Sequence, residues 1–366
     1  MKEKRNRRRL VRRLYAERYL LITMASFTLS ISLLRLFLEI TGYPQIGGGE
    51  LHIAHVLWGG LILFTGSLFP LLFANKRSLD LSALLSGIGV GLFIDEVGKF
   101  LTRSNDYFYP AAAPIIYIFF LLTLFLFNMI RREQDPTPRQ RLYYTLEEFE
   151  EVLEGDLSRQ EYKEIVDDLH NLREREPDSE AGRVAGNLLT VLNEEEKNLV
   201  AHRPDFLEKI WQAWLDFEDR NFSENTVPNW LLIIWAFSGV LAILHSVLSY
   251  FYTVGRLSFY GVIGELLATS LAGFDRLSVP AYIRFYGEGI IGFLLAASAM
   301  IGGFREGRLA INLAILAQMA NILFINIFVF YYEQFSAIVF SLFQFSVLFI
   351  TYRYRKIFLR KPALIE

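Results

Sequence analysis

Glu50-Leu-His52-Ile-Ala-His55-Val-Leu-Trp-Gly-Gly60 opens one apolar run of this chain, and Gly91-Leu-Phe-Ile-Asp95-Glu96-Val-Gly-Lys99-Phe100 closes the next. Two histidines, two carboxylates and a lysine therefore stand inside segments apolar enough to cross a bilayer. A charge at the centre of a bilayer costs at least about 2.5 kcal/mol, so such residues are read first as a site, facing protein or a water-filled cleft.

Working outward, the 366 residues are 53% hydrophobic and 15% aromatic, with positive mean hydropathy. A soluble domain of this size does not bury so much apolar side chain, and the surplus must face lipid. Apolar runs near the length needed to span about 30 Å of hydrocarbon recur at Tyr19–Ile40, Leu51–Ala74, Leu81–Leu101, Phe108–Ile130, Trp230–Val254, Ala281–Phe304, Leu309–Tyr332 and Phe335–Thr351. The first follows a basic stretch, but it is long, lacks a small-x-small exit and carries Arg35 and Glu39, so it reads as an uncleaved span.

Basic residues at the amino terminus, Asn75-Lys-Arg77, Arg131-Arg132, Arg305-Glu-Gly-Arg308 and Arg353-Tyr-Arg-Lys356 alternate consistently with eight spans. The positive-inside rule then puts both termini in the cytoplasm, in the cell inner membrane. The expected fold class is all-α: a polytopic membrane protein of eight transmembrane helices in two parallel four-helix halves, plus a helical cytoplasmic insert. The expected divisions are a basic terminus (1–18), a first half (19–130), the insert (131–229), a second half (230–352) with an outer segment (255–280), and a basic tail (353–366).

The net charge of −2 hides a segregation of basic ends from an acidic middle. Basic ends beside apolar helices suit the bilayer and its anionic lipid headgroups rather than nucleic acid. There is no cysteine, which excludes disulfides, thiolate metal sites and a cysteine nucleophile. In the insert, Thr145-Leu-Glu-Glu and Ser158-Arg-Gln-Glu161 read as capping boxes, and Pro177-Asp-Ser179 and Arg203-Pro204-Asp precede two further helices. Phe206, Ile210, Trp214 and Phe217 recur at helical spacing. The insert carries no phosphate loop, zinc spacing or catalytic motif, and reads as a packing module or a surface for a protein partner. Oligomers are compatible with all of this.

Laid over one another in order, the two halves set Arg35 on His245, His55 on Glu288 and Asp95 on Asn326, as a duplicated transporter-like architecture would. At 1.5 Å per residue these six positions each lie on the order of 6–10 Å below the outer end of their span. They share faces with small residues. His52, His55, Gly59 and Gly66 follow helical steps, as do Gly87, Gly91, Asp95 and Lys99, and Arg284, Glu288, Gly292 and Ala296.

Three chemistries suit this layer. The leading one is binding or permeation of a cation or small polar solute, with Arg35, Glu39, Asp95, Glu96, Lys99, His245, Glu288 and Asn326 as its residues. Alternatively His52, His55 and Asp95 hold a divalent metal such as zinc, whose bound hydroxide would hydrolyse a lipid. HxxH lacks the glutamate of HExxH, and Asp95 and Glu96 lie about 100° apart on a continuous helix, which turns only one of them inward. In the third, Arg35 with Glu39 and Asp95 with Lys99 neutralise one another as i,i+4 pairs, and the layer is a structural clasp. Elsewhere, Glu265 lies in an apolar stretch too short to cross, read as a re-entrant or interfacial helix or a surface loop, and Asn312, Gln318 and Asn321 read as interhelical hydrogen bonders.

The blocks Glu50–Gly60 and Gly89–Phe100, followed by Asn105-Asp-Tyr-Phe-Tyr109, resemble those of a group of prokaryotic multi-spanning membrane proteins. The resemblance covers the first four spans and implies a membrane location. It draws attention to His52, His55, Asp95, Glu96 and Lys99, and implies no particular activity.

Overall fold

The computed structural model describes residues 10–42, 55–104, 106, 109–131, 136–154, 157–175, 177, 179–195, 206–221, 228–253, 278–304 and 307–358. Their regular structure is helical. In chain order the elements are α1 (Ala16–Thr41), α2 (His55–Leu72), α3 (Lys76–Ile94), the short α4 (Val97–Leu101), α5 (Ala112–Arg131), α6 (Pro138–Glu154), α7 (Arg159–Arg175), α8 (Glu180–Glu195), α9 (Phe206–Asn221), α10 (Asn229–Thr253), α11 (Val279–Gly303), α12 (Gly307–Ala320), α13 (Asn326–Glu333) and α14 (Ala337–Phe358). A π-helical turn, Asn321–Ile325, joins α12 to α13, and a 3-10 turn, Gln334–Ser336, joins α13 to α14.

Seven helical stretches among the described residues are long and apolar enough to cross a membrane. The last of them, Gly307–Lys356, is 50 residues long. It is interrupted at Gln334, whose φ of 50° and ψ of −127° no helix accommodates. Beyond that break, α14 packs back against α12.

The chain divides into two compact units. The first comprises Met1–Ile31, Ile46–Phe93 and Thr123–Trp211. Here α2 and α3 approach closely, because a Cβ on Gly59 would sit 2.9 Å from Gly89 O and 2.8 Å from Phe93 N. Small residues at a crossing let backbones approach where lipid offers no hydrophobic drive. Arg18 Nη2 reaches Asp80 Oδ2 at 3.1 Å, and the Thr23 hydroxyl donates to Ala83 O at 3.2 Å, tying α1 to α3. Helices α6, α7 and α8 bury a core of their own, with Ile165, Leu169, Ala185 and Leu192 fully enclosed.

The helix starts in this region follow their caps, with one correction. Ser158 and Glu161 exchange capping-box bonds, Ser158 N to Glu161 Oε2 at 2.9 Å and Glu161 N to Ser158 Oγ at 3.3 Å. Ser179 Oγ caps α8 by accepting from Gly182 N at 3.0 Å. Thr145, expected to open a helix, instead lies inside α6 with its hydroxyl donating to Arg141 O at 3.0 Å. The working box is Thr137-Pro-Arg-Gln140, where Thr137 N donates to Gln140 Oε1 at 3.1 Å and Pro138 takes the first helical position.

The second unit comprises Ser32–Gln45, Ile94–Leu122 and Gln212–Glu366. Its core joins Tyr117 of α5, Leu231 and Trp235 of α10, Ile291 and Leu295 of α11, Ile311 and Ile315 of α12, and Val347 and Tyr354 of α14. At the carboxyl end of α14, Arg353 holds Glu218 of α9 through Nε at 2.6 Å, while Trp214 packs on Phe349 with ring centroids 5.2 Å apart. Burial alone would raise the Glu218 carboxyl, but hydrogen bonds from Arg353 and Trp214 hold it below its ordinary range.

Candidate intramembrane polar site

The second unit contains Arg35, Glu39, Asp95, Glu96, Lys99, His245, Glu288 and Asn326. His55 falls in the first unit at the start of α2, whereas His52, Glu265 and most of the outer segment 255–280 lie outside the described residues.

Helices α10 and α11 build the larger cluster. They cross where a Cβ on Gly292 would come within 2.7 Å of Gly239 O, and one on Gly239 within 2.6 Å of Gly292 O. The Ser246 hydroxyl donates to Phe285 O at 2.8 Å on the same seam. That approach brings His245 Nδ1 to 2.6 Å from Glu288 Oε2. Arg284, one turn before Glu288 on α11, donates through Nε to Glu288 Oε1 at 2.9 Å and through Nη2 to Glu333 Oε1. The Arg284 side chain is 1% exposed, Glu288 12%, Glu333 21% and His245 26%, so the guanidinium forms the floor and the histidine and second carboxylate form the accessible side.

The smaller cluster forms where the helix breaks between α3 and α4. The third span, expected to run unbroken from Leu81 to Leu101, turns at Asp95-Glu96 before α4 begins. This turn answers the question of which carboxylate faces inward, because off the continuous helix both are buried, Asp95 at 0% and Glu96 at 1% exposure. Arg35 donates through Nε to Asp95 Oδ1 at 2.6 Å and through Nη2 to Asp95 O at 3.1 Å. Among the described residues, the partners are thus Arg35 with Asp95 and Lys99 with Glu96, in place of the expected Arg35 with Glu39 and Asp95 with Lys99. Glu39 is exposed, and Lys99 Nζ lies 3.4 Å from Glu96 Oε2.

The two clusters meet at the Gln334 turn. The Arg35 guanidinium lies 3.7 Å from the centroid of Phe335, two residues beyond the Glu333 carboxylate that holds Arg284. A continuous series of contacts thus runs from Asp95 through Arg35 to this turn and on through Arg284 and Glu288 to His245.

Asn326 takes a different role. It is fully buried, and its amide donates to Gln344 Oε1 at 2.7 Å and to the Tyr117 hydroxyl at 3.3 Å, fastening α13 to α14 and α5. The π turn before it, closed by Asn326 N bonding to Asn321 O, swings Asn321 and Asn326 closer to one face than an α-helix would.

A cavity of about 390 Å³ adjoins the larger cluster, with Arg284, His245, Glu288 and Glu333 at one end and Gln318, Asn321 and Gln344 along its length. Gln318 gives its amide to Thr351 Oγ1 at 3.4 Å, and its buried Oε1 has no donor among the described residues. Two members of the site were outside the expected set. Arg284 is legible as the i−4 neighbour of Glu288, while Glu333 sits at a span end where a carboxylate ordinarily reads as loop. Among the described residues no three His, Asp or Glu side chains are placed to hold one metal ion. The His52–His55–Asp95 set lies partly outside them.

Comparison of the chain with protein-family models, with curated proteins and with solved structures finds no match.

Proposed function

We propose that the chain is an inner-membrane protein of eight spans with both termini cytoplasmic, whose outer polar cavity binds a cation or small polar solute as a step in its permeation. The 50-residue stretch Gly307–Lys356 supports the eighth span. At 1.5 Å per residue it would extend about 75 Å, more than twice the hydrocarbon thickness, and it breaks at Gln334. The basic residues at alternate connections support the orientation, and α9, held by Arg353 at the inner end of the last span, then lies on the cytoplasmic side.

The observation that carries the functional reading is the charge count around the cavity. Among the described residues, Glu288 and Glu333 share one guanidinium, that of Arg284, so the carboxylates at the cavity outnumber its fixed cation. A cation bound beside the carboxylates would balance that excess. The Arg35–Asp95 pair, with both side chains buried, suits the clasp role instead. The assay is calorimetric titration of monovalent cations and methylammonium into protein held in nanodiscs at pH 8. Saturable binding that Glu333→Gln removes and Asp95→Asn leaves in place supports the reading; no binding, or binding indifferent to Glu288→Gln and Glu333→Gln, overturns it.

A further inference from the structure

The walls of the cavity are unlike those of a site for a hydrated ion. Below the charges, beside the polar Ser238, Gln318, Asn321 and Gln344, an apolar wall is formed by Trp235, Ile291, Leu295, Val329 and Val347, all nearly or fully buried. His245 and Trp235 both line it from α10, and their separation along that helix makes the apolar part about 15 Å long at 1.5 Å per residue. The rim is apolar as well. Leu241 and Leu244 of α10 and Phe340 and Phe343 of α14 line the cavity while remaining 43%, 50%, 51% and 43% exposed. In a spanning bundle, exposed leucine and phenylalanine on two adjacent walls face acyl chains, so the opening between α10 and α14 gives onto lipid.

Resting on the reading of the cluster as a cation site, we propose that the ligand is a single-chain amphiphile with an ammonium head, entering from the bilayer between α10 and α14. Its head lies between Glu288 and Glu333, and its alkyl chain lies along the buried apolar wall toward Trp235. Charge complementarity selects the head, because the carboxylate excess attracts an ammonium and repels a sulfate, phosphate or carboxylate. The tail contributes through the apolar surface it removes from water. Gln318, more than nine-tenths buried and with no donor to its Oε1 among the described residues, offers an acceptor to a hydroxyl carried along the chain.

Trp235 supplies the readout. Protein in phosphatidylcholine nanodiscs is titrated with dodecylammonium brominated at the chain end, a heavy-atom quencher, and the Trp235→Phe variant isolates the emission of the cavity tryptophan. The proposal expects saturable quenching of Trp235 by the ammonium, at least tenfold weaker in Glu333→Gln, and none by the equally brominated dodecyl sulfate. Propylammonium should displace the probe only at concentrations at least tenfold higher. If propylammonium competes on equal terms, the tail contributes nothing and this inference falls while the cation reading stands. If the sulfate quenches as well as the ammonium, the groove accepts any acyl chain, and the cation reading falls with it. Absence of quenching overturns the proposal outright, and the wild-type comparison of ammonium with sulfate decides the matter even if Glu333→Gln does not fold.

Discussion

Replacing Arg284 by methionine removes the one cation that two carboxylates share. The side chain is 1% exposed, and its partners Glu288 and Glu333 are 12% and 21% exposed. Removing one member of a buried ion pair costs about 3–5 kcal/mol, because the other charge is left without compensation. The partial exposure of both carboxylates places the cost near the lower end, about 3 kcal/mol. With each kcal/mol worth about 2–4 °C in a domain of 150–250 residues, the midpoint of thermal unfolding should fall by about 6–12 °C. The companion variant Arg284→Met/Glu288→Gln/Glu333→Gln removes the charges together, and a neutral set in place of a buried ionic one is often close to neutral in stability. It should therefore recover most of the loss. Tryptophan fluorescence during heating in nanodiscs measures both midpoints. An Arg284→Met midpoint within about 1 °C of wild type would refute the reasoning, and so would a charge-balanced variant as unstable as the single one.

Other consequences are as direct. Gly292→Leu places side-chain atoms against Gly239 O and Ile243 N, 2.7 and 2.9 Å from the new Cβ, and backbone cannot yield as a side chain would; folded protein should be lost from size-exclusion profiles, and an unaltered profile contradicts the close crossing. Asn326→Leu leaves the half-buried Gln344 Oε1 without its amide donor while the Tyr117 hydroxyl keeps its bond to Ile322 O, at a cost of about 1 kcal/mol read as a lower unfolding midpoint; an unchanged midpoint contradicts the fastening role. For Glu218, held below its ordinary 4.5 by Arg353 and Trp214, the sign is that of a depressed carboxylate. Its stabilisation is complete above the unfolded value and is lost as pH falls below about 4.5 through the folded one. Glu218→Gln should be less stable than wild type at pH 7 and approach it at low pH; a constant difference down to pH 3 contradicts the pairing.

Much of the fold is legible because lipid makes a simple demand of sequence. The first span, expected at Tyr19–Ile40, is α1 at Ala16–Thr41, and the fifth, expected at Trp230–Val254, is α10 at Asn229–Thr253. The start of α3 at Lys76 escaped because its first turn, Lys76-Arg-Ser-Leu-Asp80, is polar and anchors at the membrane edge through Arg18. The break at Asp95-Glu96 escaped for a different reason. No Gly or Pro marks it; the backbone carbonyl of Asp95 instead finds its donor in Arg35, a residue distant in sequence. The same holds for the ion pairs. Spacing along one helix suggested Arg35 with Glu39, yet a buried charge takes the partner that can be desolvated with it, and Glu39 stays at the surface while Asp95 does not. Periodicity could locate His245, Glu288 and Asp95, but not the cavity, which exists where α10, α11, α12, α13 and α14 converge.

The central claim is that charges rejected by hydrocarbon are gathered into one outward-lying cluster beside a cavity. An electron cryomicroscopy map of the protein in lipid nanodiscs tests it most directly, because the lipid annulus fixes depth and the side-chain density fixes partners. The account predicts Arg284 between Glu288 and Glu333 with His245 against Glu288, all in the outer leaflet and turned from the acyl chains. Density showing these side chains apart, facing lipid, or at opposite membrane faces would contradict it.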